Sequence, residues 1–250
     1  MAKKIPDLDP DRLQSGWTKQ GFDRLLSVQR PAVLAHLRAV RRQRPEASPA
    51  EVIRVLEQRY LAAVTTAGAA AGAAALIPGV GTAASIAISG AETVGFLEAS
   101  ALFAQSMAEL HGVAVVDPDR SSTLVMALML GPSGADLVQR FAGEASGTGP
   151  SRTAYWGETI TERLPKQLLG SLTDRIRKRF LQRFATRQGA SVVLRAVPFG
   201  VGAVLGGSGN HLAGRKVVAS ARNAFGPAPV AFPGSIEPSR EALADAESVS

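Results

Sequence analysis

At 250 residues the chain is long enough for one or two domains and a substantial core. The absence of cysteine excludes a disulfide framework, a thiolate metal site and a Cys nucleophile. Lys and Arg total 28 against 21 Asp and Glu, a net charge of +7, which favours an anionic partner, either a membrane surface or nucleic acid.

The first ten residues carry Lys3 and Lys4, then Asp7 and Asp9, with no apolar run behind them, so a cleaved secretory signal is not expected. Residues 1–19 read as an N-terminal arm. Residues 8–44 hold short amphipathic pieces, with Pro31 suited to the first turn of a helix. Ser48-Pro49-Ala50-Glu51 is a helix start in which Ser48 caps, Pro49 takes the first helical position and Glu51 closes a capping box.

That helix runs into the most informative stretch of the chain. Tyr60–Ala91 is 32 residues without Asp, Glu, Lys, Arg or His, and it contains 13 Ala, 5 Gly and only seven large aliphatics. Pro78-Gly79-Val80-Gly81 breaks it. A second long helix follows, about Thr82 to His111, with Gly112 as its C-cap. The two form an antiparallel hairpin in which Gly68 and Gly72 admit a close helix neighbour. A charge-free run this long is buried in protein or in lipid. Seven large aliphatics contribute roughly −2 to −4 kcal/mol to insertion, so lipid is only marginally favoured. On the second helix Glu98, Gln105 and Glu109 share a face and Glu92 lies about 120° away. In lipid, Glu92 and Glu98 would be costly and therefore functional; in a core they meet water or a partner.

Asp117-Pro118-Asp119 starts a shorter apolar helix ending at Gly131-Pro132, and 143–150 reads as loop. From 151 to 188 the chain is amphipathic with a break near Pro165. Leu164, Leu168, Leu172, Ile176, Phe180 and Phe184 form one row and Arg175, Arg179, Arg183 and Arg187 another, about 60° apart on a helix. The apolar row faces core or lipid, and the Arg row rims it as a candidate membrane or anion contact. Residues 192–214 return to small apolar residues, with Gly202 and Gly206 as packing positions and Asn210-His211 as a polar interruption. Residues 226–250, with four Pro and the acids Glu237, Glu241, Asp245 and Glu247, read as a disordered acidic tail.

No complete catalytic, cofactor or metal constellation emerges. Gly206-Gly207-Ser208-Gly209-Asn210 lacks the last glycine of a nucleophile elbow and the strand before it. The glycines from Gly200 have the wrong spacing for a dinucleotide fingerprint. Asp7, Asp9 and Asp11 fail as a calcium loop because Arg12 and Thr18 stand where Gly and Glu are needed. His36, His111 and His211 are too far apart in sequence for a metal motif. The basic row has no interleaved aromatics, which argues against nucleic acid. The fold expected is all-α: a single helical domain over 20–225, built around a hairpin of long Ala/Gly-rich helices.

Three stretches together resemble the EcsC-like family of bacterial proteins. They are the Ala/Gly helix before Pro78-Gly79-Val80-Gly81; Ala108-Glu109-Leu110-His111-Gly112 with Asp117-Pro118-Asp119-Arg120; and the glycine-rich run from Val197 to Asn210 with the basic helix and Phe225 after it. The likeness spans about Arg54 to Phe225. It implies a helical, membrane-associated protein with no established reaction and no catalytic residue to carry over. The expected function is therefore interaction with an anionic membrane surface or a membrane partner from the cytoplasmic side, peripheral or integral. The competing expectation is a soluble helical enzyme or ligand-binding domain with a pocket near residues 200–211.

Overall fold

The computed structural model describes residues 25–74, 82–147, 155–195 and 201–236. Among them there is helix and no strand, as an all-α fold requires. The helices are α1 (Arg30–Gln43), α2 (Pro49–Ala74), α3 (Thr82–Leu110), α4 (Pro118–Leu130), α5 (Pro132–Ser146), α6 (Lys166–Arg195) and α7 (Val201–Phe225). A π-helical turn, Thr159–Arg163, precedes α6.

Local signals act where the residue pattern places them. The Ser48 backbone N–H and hydroxyl both donate to Glu51 Oε2, at 2.7 and 2.9 Å, and Glu51 N–H returns a bond to Ser48 Oγ at 3.4 Å. This is the capping box, and the Ser48 N–H, helped by its hydroxyl, holds the Glu51 carboxyl below its usual range. Gly112 sits at φ +78 beyond α3. Val113 N–H bonds Ala108 O and Gly112 N–H bonds Glu109 O, both at 3.0 Å, which is a Schellman closure. Asp117 caps α4 through the Asp119 N–H at 2.9 Å, with Pro118 behind it.

The centre of the bundle is α4, in which nine of 13 residues are buried. A helix buried on nearly every side must satisfy its own polar groups. Thr123 Oγ1 donates to Asp119 O at 2.6 Å and meets Thr173 Oγ1 of α6 at 2.7 Å. Around α4 stand α3, α5, α6 and α7. Helix α5 was not expected: its first turn overlaps the Gly131-Pro132 break, and it runs through the predicted loop to Ser146, ending at Gly147 with φ +68. Gly134 makes this junction possible, because a Cβ there would stand on the Ala127 carbonyl, 2.8 Å from its carbon.

The helical hairpin is present as α2 and α3, which run antiparallel; its turn, 75–81, lies outside the described residues. Tyr60 Oη meets Ser100 Oγ at 2.8 Å and the Tyr60 ring stacks on Phe103 at 4.7 Å. Yet the neighbour that α2 packs against most extensively is α7, not α3. Gly68 and Gly72 are buried. The mapped close approaches come from α7: a Cβ on Gly207 would lie 3.3 Å from Ala69 Cβ, and one on Gly214 would lie 3.0 Å from both Leu61 Cδ2 and Val64 Cγ2. The surroundings of Gly202 and Gly206, expected as packing positions, lie outside the description.

The acidic tail was expected to begin at 226, and only its first part, 226–236, is described. Residues 226–236 form a strap across α1 and α3, and Ile236 is fully buried. Arg38 donates to Ser235 O at 3.0 Å, Arg41 stacks its guanidinium 4.0 Å over the Phe232 ring, and Ser235 Oγ donates to Glu109 at 2.9 Å. A short stretch broken by Pro227, Pro229 and Pro233 carries no strand or helix signal, so only these tertiary contacts reveal the strap. Residues 237–250 lie outside the described residues.

Candidate functional site

The outward face of α6 is the first candidate. Leu164, Leu172, Ile176 and Phe180 are buried and Leu168 is half-buried, so the apolar row meets the core wherever it is described. The described part of this row is thus taken up by the core, and the rim beside it faces outward. Arg175, Lys178, Arg179 and Arg183 are exposed there, and the Arg187 side chain lies outside the description. Two members of the Arg row also serve the fold. Arg175 pairs with Glu144 at 3.0 Å, with its guanidinium 5.2 Å from the Phe141 ring. Arg183 donates to Leu130 O at 3.1 Å, satisfying a carbonyl at the end of α4. The exposed Arg175–Glu144 pair contributes little to stability, so it yields readily to a competing anion.

The second candidate is a polar seam where α2, α3 and α7 meet. Asn210 Nδ2 donates to Val64 O at 3.2 Å and to Glu92 Oε1 at 3.1 Å. Thr65 Oγ1 donates to Leu61 O at 2.6 Å, so its contact with His211 Nδ1 at 3.1 Å takes the imidazole N–H as donor. The structure thus joins Glu92 to Asn210 and His211 to Thr65. The residues act as an interhelical hydrogen-bond lock that ties α7 to α2 and α3 at the uncharged stretch. Glu98 is not part of it. It belongs to the other face of α3, as the helical spacing requires, and so do Gln105 and Glu109. That face runs along the 25–30 segment. Glu109 takes Arg30 Nε at 3.0 Å and Nη2 at 2.6 Å. Gln105, with its amide oxygen toward the donors, accepts from Val28 N–H at 2.9 Å and donates to Val28 O at 2.7 Å. Glu98 is exposed on a groove beside Leu25 and Ser27.

The third candidate is the basic end formed by α1 and the start of α2. Arg38, Arg42, Arg44, Arg54 and Arg59 are exposed. Burial, seconded by the Arg59 charge, pushes His36 below its usual 6.5. The unfolded chain then binds the proton that the folded chain rejects. Stability is reduced below the folded pKa and recovers as pH rises to 6.5. His36→Gln should therefore gain stability relative to the native chain as pH falls from about 7 to about 5. Denaturant melts at both pH values check this, and an unchanged difference between the two chains would contradict it.

Two long-range polar pairings escaped the sequence reading. Glu57 holds Arg222 through bonds of 2.7 and 2.5 Å, and the carboxylate raises the arginine pKa. Arg120 donates to Ile160 O at 2.6 Å and Leu164 O at 2.7 Å, tying the π-helical turn to α4. Neither pairing has a local signal, since the partners of Glu57 and Arg120 lie 165, 40 and 44 residues away.

Among the described residues no helix is long and apolar enough to cross a membrane. Among them also no group of three or more His, Cys, Asp or Glu could hold a metal ion. No family model, curated protein or solved structure matches the chain.

Proposed function

We propose that this is an EcsC-like helical protein that works by peripheral interaction with an anionic membrane surface, or with a membrane partner, on the cytoplasmic side, and not by catalysis. The observation that supports it most is the α6 face, where Arg175, Lys178, Arg179 and Arg183 are exposed together while the apolar row beneath them is committed to the core. A flat basic face on a rigid helix attracts anionic headgroups without inserting. The described polar groups of the glycine-rich segment argue against the pocket reading. Gly207 packs on Ala69, while Asn210 and His211 are spent on helix contacts. The described groove lies elsewhere, beside Leu25 and Gly95.

Cosedimentation with vesicles tests the proposal. Binding to anionic vesicles at low salt should exceed binding to zwitterionic ones and fade as salt rises. Changing Arg175, Arg179 and Arg183 to Gln should weaken it by about 1 kcal/mol per charge. A native chain that ignores anionic vesicles at low salt removes the proposal. Loss of Arg175 and Arg183 also removes fold contacts, so Arg179→Gln with Lys178→Gln serves as the control for folding, since neither has a structural role among the described contacts.

A further inference from the structure

The corner where α1 turns into α2 carries arginines that the fold does not use. Arg41 Nη1 donates to Pro45 O and Ala47 O, both at 3.1 Å, and its guanidinium lies 4.0 Å over the Phe232 ring. One guanidinium thus braces the connection between the helices and holds it to the strap. Residues 42–46 and 48 of that braced corner are exposed. Arg42 and Arg44 stand on it, and Arg54, also exposed, follows in the second turn of α2. The nearest acid is already taken. Glu51 feels Arg54 and Arg44 as smaller pulls beside the Ser48 bonds that hold its carboxyl low. Its described hydrogen bonds all go to Ser48, in the capping box. Among the described residues no ion pair joins Arg42, Arg44 or Arg54 to an acid. On α6, by contrast, Arg175 has Glu144 and Arg183 has Leu130 O. Like charges held together on a braced surface repel one another, and an external anion relieves that repulsion.

We infer that this corner is a second contact for anionic lipid headgroups, made by Arg42, Arg44 and Arg54 through phosphate oxygens. This second contact rests on the reading of the protein as a binder of anionic membrane surfaces and adds a face to it. A guanidinium takes phosphate oxygens in a bidentate fork and keeps its charge at any working pH. Shape points to an extended surface. The corner is an exposed connection between two helices, and such a rim meets a plane of headgroups more fully than it surrounds a free phosphate. Nucleic acid is the less fitting polyanion. Bases need open aromatic faces, and Phe232, the ring at this corner, already carries the Arg41 guanidinium. The corner is also separate from the α6 face: α1 and α2 pack mainly on α3 and α7, whereas α6 packs mainly on α4 and α5.

Position-specific labels test this, because the chain has no cysteine of its own. An environment-sensitive fluorophore is attached at Ala50→Cys on the corner or at Gln182→Cys on α6, both exposed and uncharged positions. Each labelled full-length chain is mixed at low salt with phosphatidylcholine vesicles that contain or lack phosphatidylserine. The label at position 50 should shift its emission only with the phosphatidylserine vesicles and lose the shift as salt rises. Arg42→Gln with Arg44→Gln and Arg54→Gln should weaken cosedimentation with those vesicles by about fivefold per charge and leave the thermal melt in place. A response at position 182 with none at position 50, or unchanged binding by the triple variant, overturns the corner and leaves the α6 reading standing. A response at position 50 with none at position 182 supports the corner and removes the α6 face from contact. Silence at both positions, with no cosedimentation, overturns both. Tighter binding to a single-stranded oligonucleotide than to the vesicles at the same salt, or release by inorganic phosphate at constant ionic strength, overturns the lipid assignment and places a nucleic acid or a small anion at the corner instead.

Discussion

Gly134→Ala should destabilise the protein by about 3 kcal/mol, the upper part of the overpacking range. The sign is opposite to the usual one. Alanine for glycine inside a helix normally stabilises by about 0.5–1 kcal/mol, through the lost freedom of the unfolded chain. Here the new Cβ meets the Ala127 carbonyl of α4, a backbone group that cannot rotate away. Helices α4 and α5 are joined at Gly131, so neither can slide to relieve the contact without pulling on the other. Gly170→Ala on α6 is the matched comparison, because nothing lies within 4 Å of its Cβ position. It should follow the ordinary rule and stabilise slightly. Urea melts of both variants check the pair, and the reading fails if Gly134→Ala behaves like Gly170→Ala.

This contrast also shows which parts of the molecule were legible in the residues. Helix ends were. Ser48 with Glu51, Asp117 with Pro118, and Gly112 each satisfy backbone groups within a few positions of themselves, so their signals are local and survive in the sequence. The hairpin of α2 and α3 was legible because Pro78 and the glycines around it leave few alternatives. The pairing of α2 with α7 was not. Gly207 and Gly214 are marked as small residues in the chain, but nothing local says that their opposite numbers are Ala69 and Leu61. The same limit hid Glu57–Arg222 and the strap ending at Ile236.

The candidate site was legible to a similar degree. The apolar and Arg rows of α6 were assigned from spacing, and the described part of the apolar row is buried except for the half-buried Leu168. What spacing could not separate was arginines that serve the fold from those that do not. Arg183, though exposed, reaches the carbonyl of Leu130, 53 residues away, while Arg179, one turn earlier, does not share that bond. Glu92 and Glu98 were ambiguous for a physical reason as well. A carboxylate in an uncharged helix marks either a lipid-facing liability or a polar contact between helices, and only the partner decides. Asn210 decides it for Glu92.

Arg30→Met is the second large effect expected, a loss of about 3 kcal/mol. Glu109 is nearly inaccessible, with 4% of its side chain exposed, and Arg30 supplies two of its three described hydrogen bonds. The paired carboxylate in turn raises the Arg30 pKa, through its hydrogen bonds first and its charge second. Removing the guanidinium leaves a buried charge with only the Ser235 hydroxyl to solvate it, and that stranded charge is the main cost. Because 35% of the Arg30 side chain reaches water, the pair itself contributes less than a fully buried one, and the estimate is set at the low end of the range. The double change Arg30→Met with Glu109→Met should therefore be milder than Arg30→Met alone, since it removes the stranded charge along with its partner. A double variant as unstable as the sum of its two single changes would show that the cost lies in packing. The strap supplies an independent readout. Ser235 bonds Glu109, and Ile236 is buried beside it, so protease cleavage between Gly226 and Ile236 should accelerate in Arg30→Met ahead of global unfolding.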